Sequence, residues 1–235
     1  MNDATAQASP VIGTVQDFSA VLSIPVLPLI PMIDKVDVAL RVAEAFWDAG
    51  LHQLEITFRS AVAPDALRRV VREFPEMKVG AGTLLSADQV REAVDAGAHF
   101  GVSPGVNRRV LEAARRESLP FLPGIATPSE VEMVLEEGFL WQKIPGVLGN
   151  FEANLDWYHA AYGHKGLRLV PAGGVSLEEM PYFLQHPVIG ALAGIWATSP
   201  DLLKEEQWDV VKARASQLVD LVGQHKAHCQ QMQSL

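Results

Sequence analysis

Lys143 sits in the stretch FLWQKIPG, residues 139–146, with Phe139, Leu140, Trp141 and Ile144 around it and a proline and glycine after it. An ammonium is costly to bury among apolar neighbours, so lysine is rarely found fully inside a protein. If the stretch is a strand and the lysine faces inward, desolvation disfavours the ammonium, pushes its pKa down and supplies free amine at neutral pH. A free amine beside a ketone forms a Schiff base, and the protonated imine draws electrons from a neighbouring carbon–carbon bond. The bland alternative is a strand-end lysine whose stem packs on apolar surface while its head reaches water.

Three other residues bear on that choice. Glu55 lies in LEITFR, residues 54–59. Strand alternation puts Leu54 and Ile56 on one side and Glu55 and Thr57 on the other, so Glu55 can face an interior shared with Lys143 and shuttle protons. It would equally serve as a charge partner for Arg59 or Lys143. Arg59, at the end of the same run, can hold a carboxylate through two parallel hydrogen bonds, or stand as a solvated rim arginine. Thr83 follows GAG and offers a hydroxyl beside backbone donors, or a loop cap. Further on, PAGG (171–174) and LAG (192–194) place Gly173, Gly174 and Gly194 after two more apolar runs. Such turns let backbone N–H groups approach a phosphate closely, and they also serve tight turns with no ligand at all.

These residues need a frame that brings them together. Short β-branched runs alternate with longer stretches of helical periodicity. Strands are expected at 24–30, 51–58, 78–82, 99–103, 119–124, 139–144, 167–173 and 189–194. Helices are expected at 36–49, 61–73, 86–96, 106–117, 127–137, 151–162 and 176–185. Ser86 and Thr127-Pro128-Ser129-Glu130 sign two helix starts. Uninterrupted strand–helix units predict an α/β fold, a single-domain (β/α)8 TIM barrel over 13–223. A helix near 13–22 is expected to cover its bottom, 201–232 to supply the last helix, 1–12 to be disordered and 224–235 to fray. An open doubly wound sheet is the second choice, but no Gly-rich dinucleotide turn follows the first strand. In a barrel the chemistry gathers at the C-terminal strand ends. Glu55, Arg59, Thr83, Pro104, Lys143, Gly173, Gly174 and Gly194 all fall there.

The chain has 235 residues, a net charge of −9 and a single cysteine, Cys229. The charge argues against a general nucleic-acid or anionic-membrane binder. One cysteine forms no internal disulfide and suits a reducing cytoplasm. Residues 1–12 lack a basic start followed by a long apolar run, so no signal peptide is expected, and no window approaches the length of a membrane span. The seven histidines are scattered without ligand spacing, and His99 begins a strand at the wrong end. No metal and no cofactor are expected.

With these motifs assembled, the sequence resembles the bacterial 2-keto-3-deoxy-6-phosphogluconate (KDPG) / 4-hydroxy-2-oxoglutarate (KHG) aldolases. The resemblance runs from about Ile24 to Pro200. Its carriers are LEITFR (54–59), VGAGTLLS (79–86), VSPGV (102–106), LPGIATPSE (122–130), the lysine of QKIP (142–145), PAGGV (171–175) and AGIW (193–196). It implies a metal-independent class I enzyme acting on a small 2-keto acid, commonly a homotrimer. It implies Lys143 as the Schiff-base lysine and Glu55 as general acid/base. Arg59 and Thr83 would hold the substrate carboxylate, Pro104 would wall the pocket, and Gly173, Gly174 and Gly194 would lie in the phosphate region.

The sequence departs from that family at three places. The lysine segment reaches proline one residue early, as Lys143-Ile144-Pro145. Ala172 stands where a threonine is usual, and Ile195 where a serine is usual. Two hydroxyl donors are thereby missing at the phosphate end, each worth on the order of 1.5–3 kcal/mol toward a charged group. A changed aldehyde half follows as an alternative: 4-hydroxy-2-oxoglutarate as main substrate, or oxaloacetate by decarboxylation. Two further alternatives are another phosphate-binding barrel isomerase or epimerase, and a non-catalytic binding barrel.

Overall fold

The computed structural model describes residues 15–146 and 152–233. Eight parallel strands run β1 (Val26–Ile30), β2 (Gln53–Thr57), β3 (Lys78–Gly82), β4 (Phe100–Val102), β5 (Phe121–Leu122), β6 (Trp141–Pro145), β7 (Arg168–Ala172) and β8 (Leu192–Gly194). They are ordered β5-β4-β3-β2-β1-β8-β7-β6. The two edges of this sheet then meet. The Lys143 N–H donates to the Pro123 carbonyl at 2.8 Å, and the Ile125 N–H donates to the Lys143 carbonyl at 2.8 Å. A parallel bridge between Gly124 and Lys143 thus closes the barrel, as the alternating sequence texture predicts.

Strands buried on both faces read as nearly continuous apolar runs. One face packs inside the barrel, where Leu27, Phe100, Val102, Leu122, Val170, Ala191 and Ala193 form a distinct cluster. The other face packs under the helices in a larger core. The first helix, α1 (Val36–Asp48), buries Ala39, Val42, Ala43 and Phe46 at helical spacing. It is followed by α2 (Ala63–Glu73), α3 (Ala87–Asp95), α4 (Arg108–Arg116) and α5 (Pro128–Glu136). The signed helix starts are built as expected. Ser86 accepts from the Gln89 N–H at 3.2 Å, and Thr127 and Glu130 form a capping box.

The second half is less regular than its sequence suggests. A single 3-10 turn, Glu152–Asn154, precedes α6 (Leu155–Tyr162). Then α7 (Met180–Leu184) is only five residues long. Ser176 and Glu179 hold each other's N–H groups with their side chains, and the helix follows with Pro181 in its first turn. After α8 (Pro200–Lys204), α9 runs without a break from Trp208 to Gln233, through the stretch expected to fray from 224. The proline expected to end β6 is instead its last residue, Pro145, paired in register with Ala172.

The helix expected at 13–22 is a correction: among the described residues of that stretch, 15–22, the helical part is a single 3-10 turn, Phe18–Val21. Gln53 explains it. Its amide oxygen accepts from the Ser23 N–H at 2.6 Å, and its amide nitrogen donates to the Ile24 carbonyl at 2.8 Å. Backbone groups that a helix would use are thereby held extended ahead of β1. The turn still closes the barrel's lower mouth, with Phe18 edge-on to Phe100 at 5.5 Å and tilted on Trp141 at 5.9 Å. The stretch expected to be disordered, 1–12, lies outside the described residues.

Gly80 is needed inside this layer. A methyl built on it would overlap the ring of Phe100, which is itself fully buried. Gly80→Ala is expected to destabilise the barrel by about 1–3 kcal/mol through overpacking, read as a lower midpoint in urea denaturation.

Candidate active site

Every residue of β2 is buried, and Glu55 is only 1% exposed. In register it lies between Leu29 of β1 and Gly80 of β3. Its carboxylate reaches over Gly82, where a methyl group would collide with its oxygens. Neither Glu55 oxygen has a hydrogen-bond partner among the described residues. A buried carboxyl without donors calls for an explanation, because leaving such a group unpaired costs stability. Burial pushes its pKa above the usual carboxylate range, while the charges of Lys143 and then Arg59 pull in the opposite direction. Glu55, Lys143 and Arg59 therefore share one electrostatic site, as their sequence positions at strand ends predict.

Lys143 reaches this site through the alternation of β6. Gln142 and Ile144 are buried on the helix side, and Gln142 donates to the carbonyls of Val131 and Phe139 at 3.3 and 3.2 Å. Trp141, Lys143 and Pro145 occupy the other face and are half-buried. The paired residue on β7 is Val170, which belongs to the interior cluster. Since the Lys143 backbone itself closes the barrel seam, two interstrand bonds hold the root of its side chain in place.

Arg59 and Thr83 meet at the rim. The Arg59 Nε donates to Thr83 Oγ1 at 3.2 Å, and an Arg59 terminal nitrogen donates to the Pro31 carbonyl at 3.3 Å. Thr83 has φ +60°, a left-handed backbone that a β-branched side chain rarely takes. Such strain, on the order of 1–3 kcal/mol, persists where surrounding structure holds it, and here it presents the Thr83 hydroxyl to Arg59. Pro104 stands on the next loop, exposed, with the Ser103 hydroxyl bonded to the Gly105 carbonyl at 2.9 Å. It connects to the lysine through Gly124, whose missing side chain lets the Pro104 carbonyl come close and which is bridged to Lys143.

Gly173, Gly174 and Gly194 gather at a separate end of the same rim. They line a cleft of about 540 Å³ together with Val175, Leu177, Ile195 and Trp196. Gly174 has φ +73°, and a methyl on it would lie 2.8 Å from the Gly146 carbonyl oxygen. The shortened segment after Lys143 thus passes directly against this turn.

Sequence reasoning missed Arg214 and Gln217, which come from α9 to line the same cleft. Both belong to a tail that reads only as a closing helix, and nothing local marks the face it turns to the barrel. It also missed the dependence of Glu55 on Gly82. The GAG motif carried that signal, since glycines at alternate positions leave one face of a strand bare.

Residues 19–214 match the family model described as KDPG and KHG aldolase. The 2-dehydro-3-deoxy-phosphogluconate aldolase of Treponema pallidum is 32% identical over 207 residues, covering 88% of this chain and 97% of that protein. The KHG/KDPG aldolase of Escherichia coli strain K12 is 32% identical over 197 residues, covering 83% and 91%. Among solved structures, a KDPG aldolase from Legionella pneumophila, with pyruvate captured as a covalent carbinolamine intermediate, superposes with a TM-score of 0.76. It is 29% identical and covers 86% of this chain and 97% of that one.

Proposed function

The chain belongs to the KDPG and KHG aldolase family, and from that premise we propose that it is a class I aldolase cleaving KDPG to pyruvate and glyceraldehyde 3-phosphate. The observation that carries this reading is Glu55: a buried carboxyl without hydrogen-bond partners among the described residues, raised by burial and coupled to the inward lysine of β6.

The steps use this chain's own groups. The Lys143 amine adds to the C2 ketone, and loss of water from the carbinolamine gives the protonated imine. Glu55, whose pKa burial raises above the usual carboxylate range, supplies the proton that leaves with that water. It then takes the proton of the C4 hydroxyl as the C3–C4 bond breaks. The bonding electrons pass into the imine, leaving an enamine of pyruvate on Lys143 and releasing the aldehyde. Protonation at C3 restores an imine, and water hydrolyses it to pyruvate and free lysine. Arg59 and Thr83 hold the C1 carboxylate at the rim, which fixes C2 over the amine. The cleft beyond Gly173 has room for a phosphorylated aldehyde half, which the shorter 4-hydroxy-2-oxoglutarate and oxaloacetate would leave unfilled. Pro104 serves as pocket wall and the three glycines as backbone lining of the phosphate end. A homotrimer, carried by the resemblance, is the proposed assembly.

Borohydride reduction in the presence of pyruvate tests the reading. Lys143 is expected to gain the mass of pyruvic acid less one oxygen atom, located by peptide mapping. An unlabelled protein that turns over a sugar phosphate would favour the isomerase or epimerase reading. An unlabelled protein without turnover or thermal shift would favour the non-catalytic one.

A further inference from the structure

The aldehyde end of the cleft is lined mainly by glycine backbone and apolar side chains, with one cation, Arg214, and one carboxylate, Glu178. Helix α9 fixes where Arg214 points. Val211, Ala215, Leu218 and Val222 are buried in the core, so the helix cannot turn about its axis. Arg214 and Gln217, three residues apart on one face, both border the cleft. An Arg214 terminal nitrogen donates to the Trp196 carbonyl at 3.0 Å. Trp196 in turn donates its indole N–H to the Val175 carbonyl at 2.8 Å. The loops after β7 and β8 and the last helix are thereby tied at this point.

Arg214 is half-buried, and no carboxylate pairs with it among the described residues. Glu178 is exposed, so water screens its charge, whereas the guanidinium is partly desolvated and keeps unused donors. An anchored arginine without a carboxylate partner, the one cation of its cleft, is built to receive an anion.

We propose that Arg214 is a specificity-determining residue that binds the phosphate of the aldehyde half, with Gln217 as a neutral donor beside it. The proposal rests on the aldolase reading above and adds to it the group that selects a phosphorylated substrate. It also accounts for how a cleft with Ala172 and Ile195 in place of hydroxyl donors would hold a dianion: one charge-assisted fork replaces two neutral bonds.

The test compares KDPG with its unphosphorylated counterpart, 2-keto-3-deoxygluconate, and with 4-hydroxy-2-oxoglutarate. Arg214→Ala is expected to lower kcat/KM for KDPG about tenfold to hundredfold, mainly through KM. The value for 2-keto-3-deoxygluconate should stay within about twofold. Arg214→Lys should recover part of the loss, because it restores the charge without the fork. Trapping of pyruvate on Lys143 in Arg214→Ala should match the parent protein, which also reports an intact barrel. Equal losses on the phosphorylated and unphosphorylated sugar acids, or no loss on KDPG, would overturn the proposal. A larger loss on 4-hydroxy-2-oxoglutarate would also overturn it, by assigning the cation to a substrate carboxylate. Absence of the pyruvate adduct in the parent protein would overturn the aldolase reading, and this proposal with it.

Discussion

Replacing Lys143 with alanine is expected to lower kcat/KM for KDPG by roughly 10⁴-fold or more and to abolish the borohydride-trapped pyruvate adduct. No other group in the site can form an imine: Glu55 is a carboxyl, Arg59 a guanidinium and Thr83 a hydroxyl. The barrel should survive the change. Closure at the β5–β6 seam uses the Lys143 N–H and carbonyl, not its side chain, and both remain in alanine. Lys143→Arg separates the two properties of the residue. It keeps a positive charge near Glu55 but supplies no nucleophilic amine, so it should be as inactive as Lys143→Ala. A variant that kept turnover, or trapped pyruvate on another lysine, would remove Lys143 from the mechanism.

Most of the frame was legible because barrel strands and helices carry different periods. β3 occupies the predicted residues, 78–82, and the helix caps at Ser86 and Thr127 are as read. The errors lie where a distant partner decides. The N-terminal helix shrank to Phe18–Val21 because Gln53, on the second strand, claims the backbone after it. β5 shortened to Phe121–Leu122 because pairing on one side passes to Gly124 and Lys143 as a single bridge.

The site shows the same division. Alternation along LEITFR and WQKIP points Glu55 and Lys143 inward, and both strands belong to a barrel, so their meeting follows. What alternation does not carry is the state of the carboxyl. That depends on Gly82 of the neighbouring strand, which leaves room for the carboxylate but offers it no donor. Nor does it carry Arg214, placed by the burial of Val211, Ala215 and Leu218 on a helix remote in sequence.

Glu55→Gln is expected to reduce kcat/KM by about 10²–10⁴-fold while making the protein more stable above pH 4.5. The activity loss follows from removing the proposed proton carrier, a buried carboxyl that feels the charge of Lys143. The stability change follows from the direction in which burial moves the Glu55 pKa. Below the ordinary value of 4.5 the carboxyl is protonated in both folded and unfolded chains, and its ionisation has no effect on folding. As the pH rises past that value the unfolded chain releases the proton and the folded chain keeps it, so stability falls. The fall continues until the pH has passed the raised folded value, and then stops. A glutamine does not ionise, so the variant escapes this loss. Thermal melts of both proteins should therefore show the difference in Tm widening in favour of Glu55→Gln as the pH is raised from below 4.5 to above it. The charges of Lys143 and Arg59 oppose the shift, so Glu55→Gln combined with Lys143→Ala should change stability less with pH than Lys143→Ala alone. A Tm difference that stayed constant with pH would mean that Glu55 ionises as freely in the barrel as in water, and the carboxyl would lose its role as the proton donor to the carbinolamine.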